Sequence, residues 1–426
     1  MGRVFRIIVA AVVALILWFA LVLFGAREGW LRPMPAPAGD TAGFMRWAED
    51  RYAAEGRGNI AIVLLDDGDI AQTYFASHGR AVDADSLFQV ASLSKWLTAW
   101  GVMTLVEQGR IDLDAPVSRY LTRWRLPDGD YDNDQVTVRR LLGHTSGLTD
   151  GLGFLGFGPD QTPLSIEDEL TAPGDVMPGA SGAVRVGAVA DGAWRYSGGG
   201  YLILQLLIEE VTQQPFNDYM RSAVLAPLGM NGSTFIDPDV QRLAEFYADD
   251  GSAATHYRFT ATGAASLYTS ADDLTRFLNA QRDGGGVLSS ATLATMQTPE
   301  AFVFRLPVWG LGPTLYAPTR TGGFVIGHDG QNYPAINTTA RVDPATGDGV
   351  IVLHTGSATL AREIGGEWTY WQTGIVPLDT LAIFDAQRIL IAFAIGALVI
   401  VLGAVVLTRR RRGSDAAGHA PSRGST

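Results

Sequence analysis

The chain has 426 residues, of which 47% are hydrophobic, and its formal net charge at pH 7 is −12. A chain of this length and composition can bury a large core, which we expect in one folded unit with two lobes. The sequence contains no cysteine, so disulfides, thiolate catalysis and cysteine-based zinc sites are excluded. Its acidic balance argues against nucleic acid as a partner.

Two apolar segments, one near each end of the chain, are long enough to span a bilayer. Residues 7–25 and residues 389–407 are each 19 residues long and carry no charged side chain, and about 20 apolar residues suffice for a transmembrane helix. We therefore predict an N-terminal transmembrane anchor at residues 1–26 and a C-terminal transmembrane helix at residues 388–408. A cleaved signal peptide is the alternative for the N-terminal segment.

Four consecutive arginines follow the second apolar segment, at positions 409–412, and such a cluster remains in the cytoplasm. They begin a basic cytoplasmic tail at residues 409–426. The sequence thus predicts a protein of the cell membrane with both termini in the cytoplasm and the part between the two spans outside. A proline-rich linker at residues 27–43 would connect the membrane to a folded domain at residues 44–375.

Two β-hairpins are predicted, one near each end of this domain. Apolar runs at residues 60–65 and 70–75 flank the turn sequence Asp-Asp-Gly-Asp. Similar runs at residues 335–342 and 350–354 flank a second segment that is rich in turn residues.

The middle of the domain is predicted to be mostly helical. Apolar residues at helical spacing predict a helix from Ser92 to Gly109, a buried helix over residues 201–211 and a third helix capped by Ser270. Residues 151–192 are rich in glycine and proline, and we expect a loop over a cleft. Strands at both ends with helices between them predict an α+β fold, in which helices flank an antiparallel sheet beside a mostly helical lobe.

Lys95 is the only lysine of the chain, whose other 31 fixed positive charges are all arginines. Arginine stays protonated in proteins, whereas a buried lysine can lose its proton and act as a base. Ser92 precedes this lysine by three residues, which places both side chains on one face of a helix. The pair forms the Ser-x-x-Lys pattern of an activated serine nucleophile.

Three further blocks accompany this pattern in chain order. They read Leu-Leu-Gly-His-Thr-Ser-Gly-Leu at residues 141–148, Tyr-Ser-Gly-Gly-Gly-Tyr at residues 196–201 and Pro-Leu-Gly-Met at residues 227–230. Together the blocks resemble the serine β-lactamase and penicillin-binding protein superfamily, in its class C, D,D-peptidase and esterase-like branch. The resemblance covers roughly residues 45–365 and implies a β-lactamase/transpeptidase-like fold.

The resemblance implies three catalytic residues. Ser92 would be the nucleophile, Lys95 a general base or proton relay, and Tyr196 a phenolic partner. A serine hydroxyl attacks a carbonyl only when a nearby base takes its proton. The sequence leaves open whether Lys95 or Tyr196 takes that proton first.

The same resemblance implies substrate-binding residues on a strand that lines the cleft. His-Asp-Gly at residues 328–330 matches the family's third element. His328 would hydrogen-bond or polarise the site, and Gly330 would let substrate lie close to the strand. The backbone amides of Ser92 and Gln331 would form the oxyanion hole. His144 belongs to the block at 141–148, where a structural role near the cleft is expected.

One position departs from the family pattern. The block around Tyr196 usually reads Tyr-x-Asn, and here the third residue is Gly198. That asparagine would hydrogen-bond the amide side of a substrate and the lysine, so its absence weakens the case for β-lactam hydrolysis and peptide-amide recognition. An ester, or an amide held by other groups, is then at least as good a substrate.

The sequence therefore predicts a membrane-anchored serine hydrolase that forms an acyl-enzyme on an ester or amide outside the cytoplasmic membrane. The alternatives are a degenerate domain that binds cell-wall peptide or a partner protein without turnover, and a transpeptidase that passes the acyl group to an amine. The expected substrate is a small molecule or peptide with a carbonyl group. No metal-ligand spacing links the histidines, and we expect no cofactor. The sequence does not determine an oligomeric state.

Overall fold

The computed structural model describes residues 2–151, 153–178, 180–182, 184–190 and 192–417. The chain divides into two compact units. The larger unit is Pro35–Thr373, and the terminal unit combines Met1–Met34 with Gly374–Thr426. Residues 418–426 of the predicted cytoplasmic tail lie outside the described residues.

The larger unit is built on an antiparallel sheet. Its strands, in chain order, are β1 (Ile60–Asp66), β2 (Asp69–Ala76), β3 (Phe88–Gln89), β4 (Phe246–Tyr247), β5 (Ala253–Ala254), β6 (Tyr268–Thr269), β7 (Ala301–Val303), β8 (Leu306–Trp309), β9 (Thr314–Pro318), β10 (Phe324–Asn332), β11 (Ile336–Val342) and β12 (Gly349–Thr355). Eight of them form one sheet in the order β2-β1-β12-β11-β10-β9-β8-β7, and β3 pairs with β6 and β4 with β5.

The two predicted hairpins are confirmed as β1–β2 and β11–β12, and they are neighbours in the sheet. Strand β1 pairs antiparallel with β12, with Ile60 opposite His354. The sheet thus joins the two ends of the domain. Strands β7 to β9 were not predicted, because β7 and β8 are only three and four residues long and show too few alternating residues to be recognised.

In the larger unit, helices cover both faces of the sheet and form the second lobe. In chain order the α-helices are α1 (Arg3–Arg27), α2 (Thr41–Glu55), α3 (Ser94–Glu107), α4 (Val138–Leu142), α5 (Ile166–Thr171), α6 (Gly198–Thr212), α7 (Phe216–Met220), α8 (Thr262–Ala265), α9 (Ala271–Asp283), α10 (Ser290–Gln297), α11 (Leu360–Thr373), α12 (Leu378–Phe384) and α13 (Ala386–Ala417), of which α1, α12 and α13 belong to the terminal unit. The three predicted helices are confirmed as α3, α6 and α9, and Ser270 caps α9 by accepting a hydrogen bond from the Asp273 amide.

Alternate residues of β1 enter two different hydrophobic cores, as the pleat of a strand requires. Ile60 and Ile62 pack in a smaller core with residues of α2 and α11. Ala61 and Val63 pack in the larger core with residues of α3, α6 and α9. This two-sided burial explains why β1 is a continuous apolar run, and it confirms the predicted α+β architecture. The cleft described below lies between the sheet and the helical lobe.

In the terminal unit, α1 and α13 contain the two apolar segments. Residues Val4–Arg27 and Ala386–Arg409 are each long and apolar enough to cross a membrane. The Trp18 ring lies where a side chain at Gly396 would stand, and Arg32 forms a buried ion pair of 2.9 Å with Asp385. The membrane orientation and the limits of the predicted domains stay predictions.

Candidate active site

Ser92 lies at a sharp turn between strand β3 and helix α3. Ala91 has a φ of +48°, a left-handed conformation that costs a residue with a side chain about 1–3 kcal/mol. A short 3₁₀ turn over Ala91–Leu93 follows and leads directly into α3. The turn leaves Ser92 partly exposed to solvent while its neighbours are buried, which is the exposure that a nucleophile needs.

Lys95 points from the first turn of α3 towards Ser92. Its side chain is buried, and Nζ lies 3.1 Å from Ser92 Oγ and 2.8 Å from the carbonyl oxygen of Ala264. Burial lowers the pKa of Lys95 to about 7, although the Asp150 carboxylate opposes this effect. A substantial fraction of Lys95 is therefore neutral near pH 7 and can accept the proton of Ser92.

Tyr196 completes the predicted catalytic group. Its hydroxyl hydrogen-bonds Ser92, and its ring centroid lies 5.1 Å from Lys95 Nζ. Burial raises the pKa of Tyr196 well above its usual value. The phenol therefore keeps its proton at neutral pH and is suited to donate it.

His144 packs against Tyr196 and Trp309 beside this group, and its predicted structural role stays a prediction. Its ring centroid is 4.4 Å from that of Tyr196 and 4.7 Å from that of Trp309. Its Nδ1 accepts a hydrogen bond of 3.1 Å from the Ser197 amide, so the proton of the neutral ring is on Nε2. Burial lowers the pKa of His144, and the neutral ring fixes Tyr196 by stacking.

His328 lies on β10, the strand for which the resemblance predicted it. The ring donates a hydrogen bond of 2.6 Å from Nδ1 to the Asp329 carbonyl, and its centroid is 5.2 Å from that of Trp309. Burial lowers the pKa of His328 to about 3. The ring is therefore neutral at working pH. Its Nε2 has no hydrogen-bond partner among the described residues and can accept one.

Gly330 and Gln331 follow on the same strand. A Cβ at Gly330 would stand 2.0 Å from the Val90 carbonyl oxygen and 2.4 Å from Thr338 Oγ1, so glycine here lets β10 pack against the turn that carries Ser92. The Gln331 side chain points to the other face of the sheet, where Arg362 donates to it at 3.2 Å. The predicted roles of the two residues in substrate binding therefore rest on their backbone and stay predictions.

Asp150 is a buried carboxylate beside this group that sequence reasoning did not single out. It is 3% exposed and accepts hydrogen bonds from the Ser197 hydroxyl and, at 2.8 Å, from the Gly199 amide. Burial raises its own pKa, while the charge on Lys95 opposes that shift. Its only sequence signal is its place two residues after the block at 141–148, in a segment without periodicity.

Gly198, the residue that departs from the family pattern, has no room for a side chain. A Cβ at this position would lie 2.9 Å from the Cα of Gly153 and 3.2 Å from the ring of Phe154. The segment after Asp150 therefore occupies the space that an asparagine side chain at position 198 would need. Among the described residues, no three His, Asp or Glu side chains are grouped so that they could hold a metal ion.

Comparison with known proteins identifies the family of the chain. The family model described as Beta-lactamase matches residues 44–374. Esterase EstB of Burkholderia gladioli is 31% identical over 55% of this chain and 67% of its own length, and penicillin-binding protein 4 of Amycolatopsis lactamdurans is 28% identical over 72% and 84%. The octameric penicillin-binding protein homologue of Pyrococcus abyssi superposes with a TM-score of 0.62 at 24% identity, over 78% of this chain and 76% of that one. The chain belongs to the β-lactamase family of serine hydrolases.

Proposed function

We propose that this protein is a membrane-anchored hydrolase that forms an acyl-enzyme on Ser92 and acts on esters. The observation that carries the proposal is the 3.1 Å contact between Ser92 Oγ and the buried Lys95 Nζ, whose pKa is lowered to about 7. A nucleophile with a matched base in hydrogen-bond reach is what acyl transfer requires.

In the first half of the reaction, neutral Lys95 takes the proton of Ser92 while Oγ forms a bond to the substrate carbonyl carbon. The carbonyl oxygen becomes an oxyanion, which the amides of Ser92 and Gln331 would stabilise. The bond from carbon to the leaving oxygen then breaks, and Tyr196 donates its proton to that oxygen. Lys95, now an ammonium, returns the proton to Tyr196.

Water completes the second half by the same route in reverse. It loses a proton to the base and attacks the acyl carbon, and Ser92 recovers its proton as the acid leaves. His328 stays neutral throughout, because its pKa is lowered to about 3, and its free Nε2 is suited to orient the water or the substrate. Each turnover consumes one ester and one water and releases one alcohol and one acid, so the reaction needs no cofactor.

Esters are the substrates that the site favours over amides. Position 198 lacks the asparagine that would hydrogen-bond an amide substrate, and the space for that side chain is filled. One relative with 31% identity carries the name esterase, and another with 31% identity carries the name penicillin-binding protein 4*, so the choice of esters rests on position 198. A transpeptidase would differ only in passing the acyl group to an amine instead of water.

Gly198 is the observation that favoured the alternative, a binding domain without turnover. The reason for glycine at this position is the packing of Gly153 and Phe154 against it, while Ser92, Lys95 and Tyr196 lie together in hydrogen-bonded order. The departure thus lies beside the three residues that we propose to be catalytic, and it gives no reason to expect loss of catalysis.

We further propose that α1 and α13 anchor the hydrolase in the cell membrane, with both termini in the cytoplasm and the catalytic unit outside. The length and apolarity of the two helices support the anchoring, and the arginines at 409–412 support the orientation. A cysteine introduced at Asp67 in the otherwise cysteine-free chain should react with an impermeant maleimide in intact cells. Labelling only after lysis would contradict this orientation.

The experiment that tests the hydrolase is intact-mass spectrometry of the full chain in detergent. Wild type and Ser92→Ala are treated with a fluorophosphonate, a penicillin and a short-chain activated ester. We expect a fluorophosphonate adduct and ester turnover that both depend on Ser92. A folded wild-type protein that forms no adduct and turns over no ester would refute the proposal in favour of the binding domain.

A further inference from the structure

Asp329 is the middle residue of the His-Asp-Gly element on β10, and none of the proposed reaction steps uses its side chain. Successive side chains of a strand point to opposite faces of the sheet. Gly330 packs against the turn that carries Ser92, and His328 shares that face. The Asp329 carboxylate therefore lies on the far face of β10, away from Ser92. Its charge needs an explanation, because burying an ionised carboxylate is costly unless the group is paired.

Arg341 of the neighbouring strand β11 is the main partner of this carboxylate. Its Nη2 donates to both carboxylate oxygens, at 3.1 and 2.9 Å, and its side chain is fully buried. Thr339, directly opposite Asp329 on β11, donates a further hydrogen bond of 2.5 Å. Burial alone would raise the pKa of Asp329, but the charges on Arg341 and Arg362 outweigh burial and lower it. The carboxylate is therefore ionised at neutral pH.

The Arg341 guanidinium is itself held on every side. Its central carbon lies 3.6 Å from the centroid of the Tyr316 ring on β9, a cation–π contact. Its Nη1 donates to Thr369 Oγ1 of α11 at 3.2 Å. A Cβ at Gly365 of α11 would stand 2.9 Å from Arg341 Nε, so glycine at that position leaves room for the arginine. The ion pair thus ties β10 to β9, β11 and α11.

Gln331, on the other side of Gly330, is held on the same far face. Arg362 of α11 donates to its side-chain oxygen at 3.2 Å, and Arg362 Nε lies 3.6 Å from the Asp329 carboxylate. The backbone between these two held side chains carries the groups that face the reaction. The Asp329 carbonyl accepts the Nδ1 proton of His328 at 2.6 Å, and the Gln331 amide is the one proposed for the oxyanion hole.

We propose that the ion pair of Asp329 and Arg341 is a positioning device for catalysis, which fixes β10 so that the Gln331 amide and the His328 ring meet the reacting carbonyl. The inference rests on the proposed acyl transfer and adds two positioning residues that do not touch substrate. A buried ion pair generally adds little stability compared with an apolar pair of similar size. Exact placement of the strand is therefore the contribution that we assign to it.

The expected effect is on kcat, because an oxyanion donor acts in the transition state. Both halves of the proposed reaction pass through an oxyanion, so a displaced strand should slow both and leave KM nearly unchanged. A displacement of about 1 Å far from the reacting atoms can cost about 100-fold in rate. Loss of the ion pair should therefore lower kcat by about 10–100-fold.

The test replaces both partners together, as Asp329→Leu with Arg341→Met, in the full chain in detergent. No unpaired buried charge remains, so the urea midpoint should be no lower than that of wild type. With p-nitrophenyl acetate we expect the lower kcat and a KM within about threefold of wild type. Phenylboronic acid bonds to Ser92 Oγ and places an oxygen where the oxyanion forms, so its inhibition constant should rise by the factor by which kcat falls.

The matched control is Arg51→Met with Glu363→Met. This partly buried ion pair of 3.0 Å joins α2 to α11, and Glu363 is adjacent in sequence to Arg362. Its removal changes the same helix without touching the pair on β10, and kcat should stay within about threefold of wild type. Equal losses of kcat in the two double variants would overturn the positioning role, because a loosened α11 would then explain both.

Three further outcomes decide between this inference and the proposed function. Turnover by wild type that depends on Ser92, together with unchanged kcat in the Asp329→Leu, Arg341→Met variant, would overturn the positioning role and leave the hydrolase intact. A loss of kcat that comes with a lower urea midpoint would also overturn it, because the pair would then hold the fold. Absence of ester turnover by wild type would overturn both proposals.

Discussion

The two sides of the active site differ in how their residues come together. Ser92 and Lys95 are three residues apart at the start of α3, and the geometry of one helix brings them to 3.1 Å. Asp150, Phe154 and Gly198 meet only because a long segment without regular structure packs against the first turn of α6. The first side carries the chemistry of the family, and the second is where this chain departs from it. Substrate choice therefore belongs to the irregular side.

We expect the largest effect on activity from replacing Lys95, the base beside Ser92 on α3. Lys95→Met should lower kcat/KM by at least about 1,000-fold, because Ser92 then has no base. Lys95→Arg should not restore activity, since a guanidinium does not lose its proton. Removal of the buried amine should leave stability unchanged or raise it by about 1–4 kcal/mol, as measured by urea unfolding. A variant that loses activity by unfolding would instead show a lower urea midpoint.

This difference also explains how much could be predicted from the sequence. The helix around Ser92 and Lys95 follows from local spacing, and the two hairpins follow from apolar runs next to turn residues. The same local patterns placed Tyr196 just before a buried helix. The register that sets β10 against the turn at Ser92 depends on contacts between residues more than 200 positions apart, such as Thr338 with Val90, and no local pattern encodes them.

Gly198 is a second case in which the sequence showed the residue but could not show the reason for it. Its identity was visible in the sequence as a missing asparagine, but the reason lies in the packing of Gly153 and Phe154. A glycine is read from sequence as flexibility or lost function, whereas here it makes room for another segment. Asp150 was missed for a related reason, because its carboxylate acts on Lys95 and on the α6 terminus through space.

Gly198→Asn restores the asparagine that the family pattern has at this position, and so tests whether the segment after Asp150 leaves room for it. Its Cβ would lie 2.9 Å from the Gly153 backbone, and such overpacking costs about 1–3 kcal/mol. We expect a lower urea midpoint and no gain of reactivity towards penicillin. Equal urea midpoints for wild type and Gly198→Asn would mean that the segment with Gly153 and Phe154 moves aside without a cost in stability.

Asp150→Asn should change the pH dependence of catalysis, because Asp150 acts on Lys95. The reaction needs neutral Lys95, so kcat/KM should rise with pH through the lowered pKa of about 7. The Asp150 carboxylate raises the pKa of Lys95, and its removal should move this acidic limb to lower pH. A limb that stays in place would show that Asp150 acts only as a hydrogen-bond acceptor for α6.

His328→Gln is the control for that pH profile. The pKa of His328 is lowered to about 3, so its charge does not change over the working range. The substitution should lower kcat/KM by about tenfold through loss of the Nε2 acceptor, without moving the acidic limb. A shifted limb in this variant would assign the titration to His328 and remove the argument for Lys95.

We expect the smallest effect from the two buried carboxyl groups that hold the segment around Gly156. Glu169 and Asp175 are buried carboxyl groups that face each other, and Asp175 holds the Gly156 amide. Burial and the neighbouring carboxyl raise the pKa of Glu169 to about 8, so the two groups share one proton. A carboxyl whose pKa is raised in the folded state contributes stability that is complete below its unfolded pKa and is lost as the pH rises through about 8.

Amide hydrogen exchange of residues 153–157 should therefore be faster at pH 9 than at pH 6, after correction for the intrinsic pH dependence. Glu169→Gln keeps a hydrogen-bond donor towards Asp175 at every pH and should abolish this difference while preserving the fold. Faster exchange at pH 9 that persists in the Glu169→Gln variant would place the flexibility elsewhere than in the carboxyl pair.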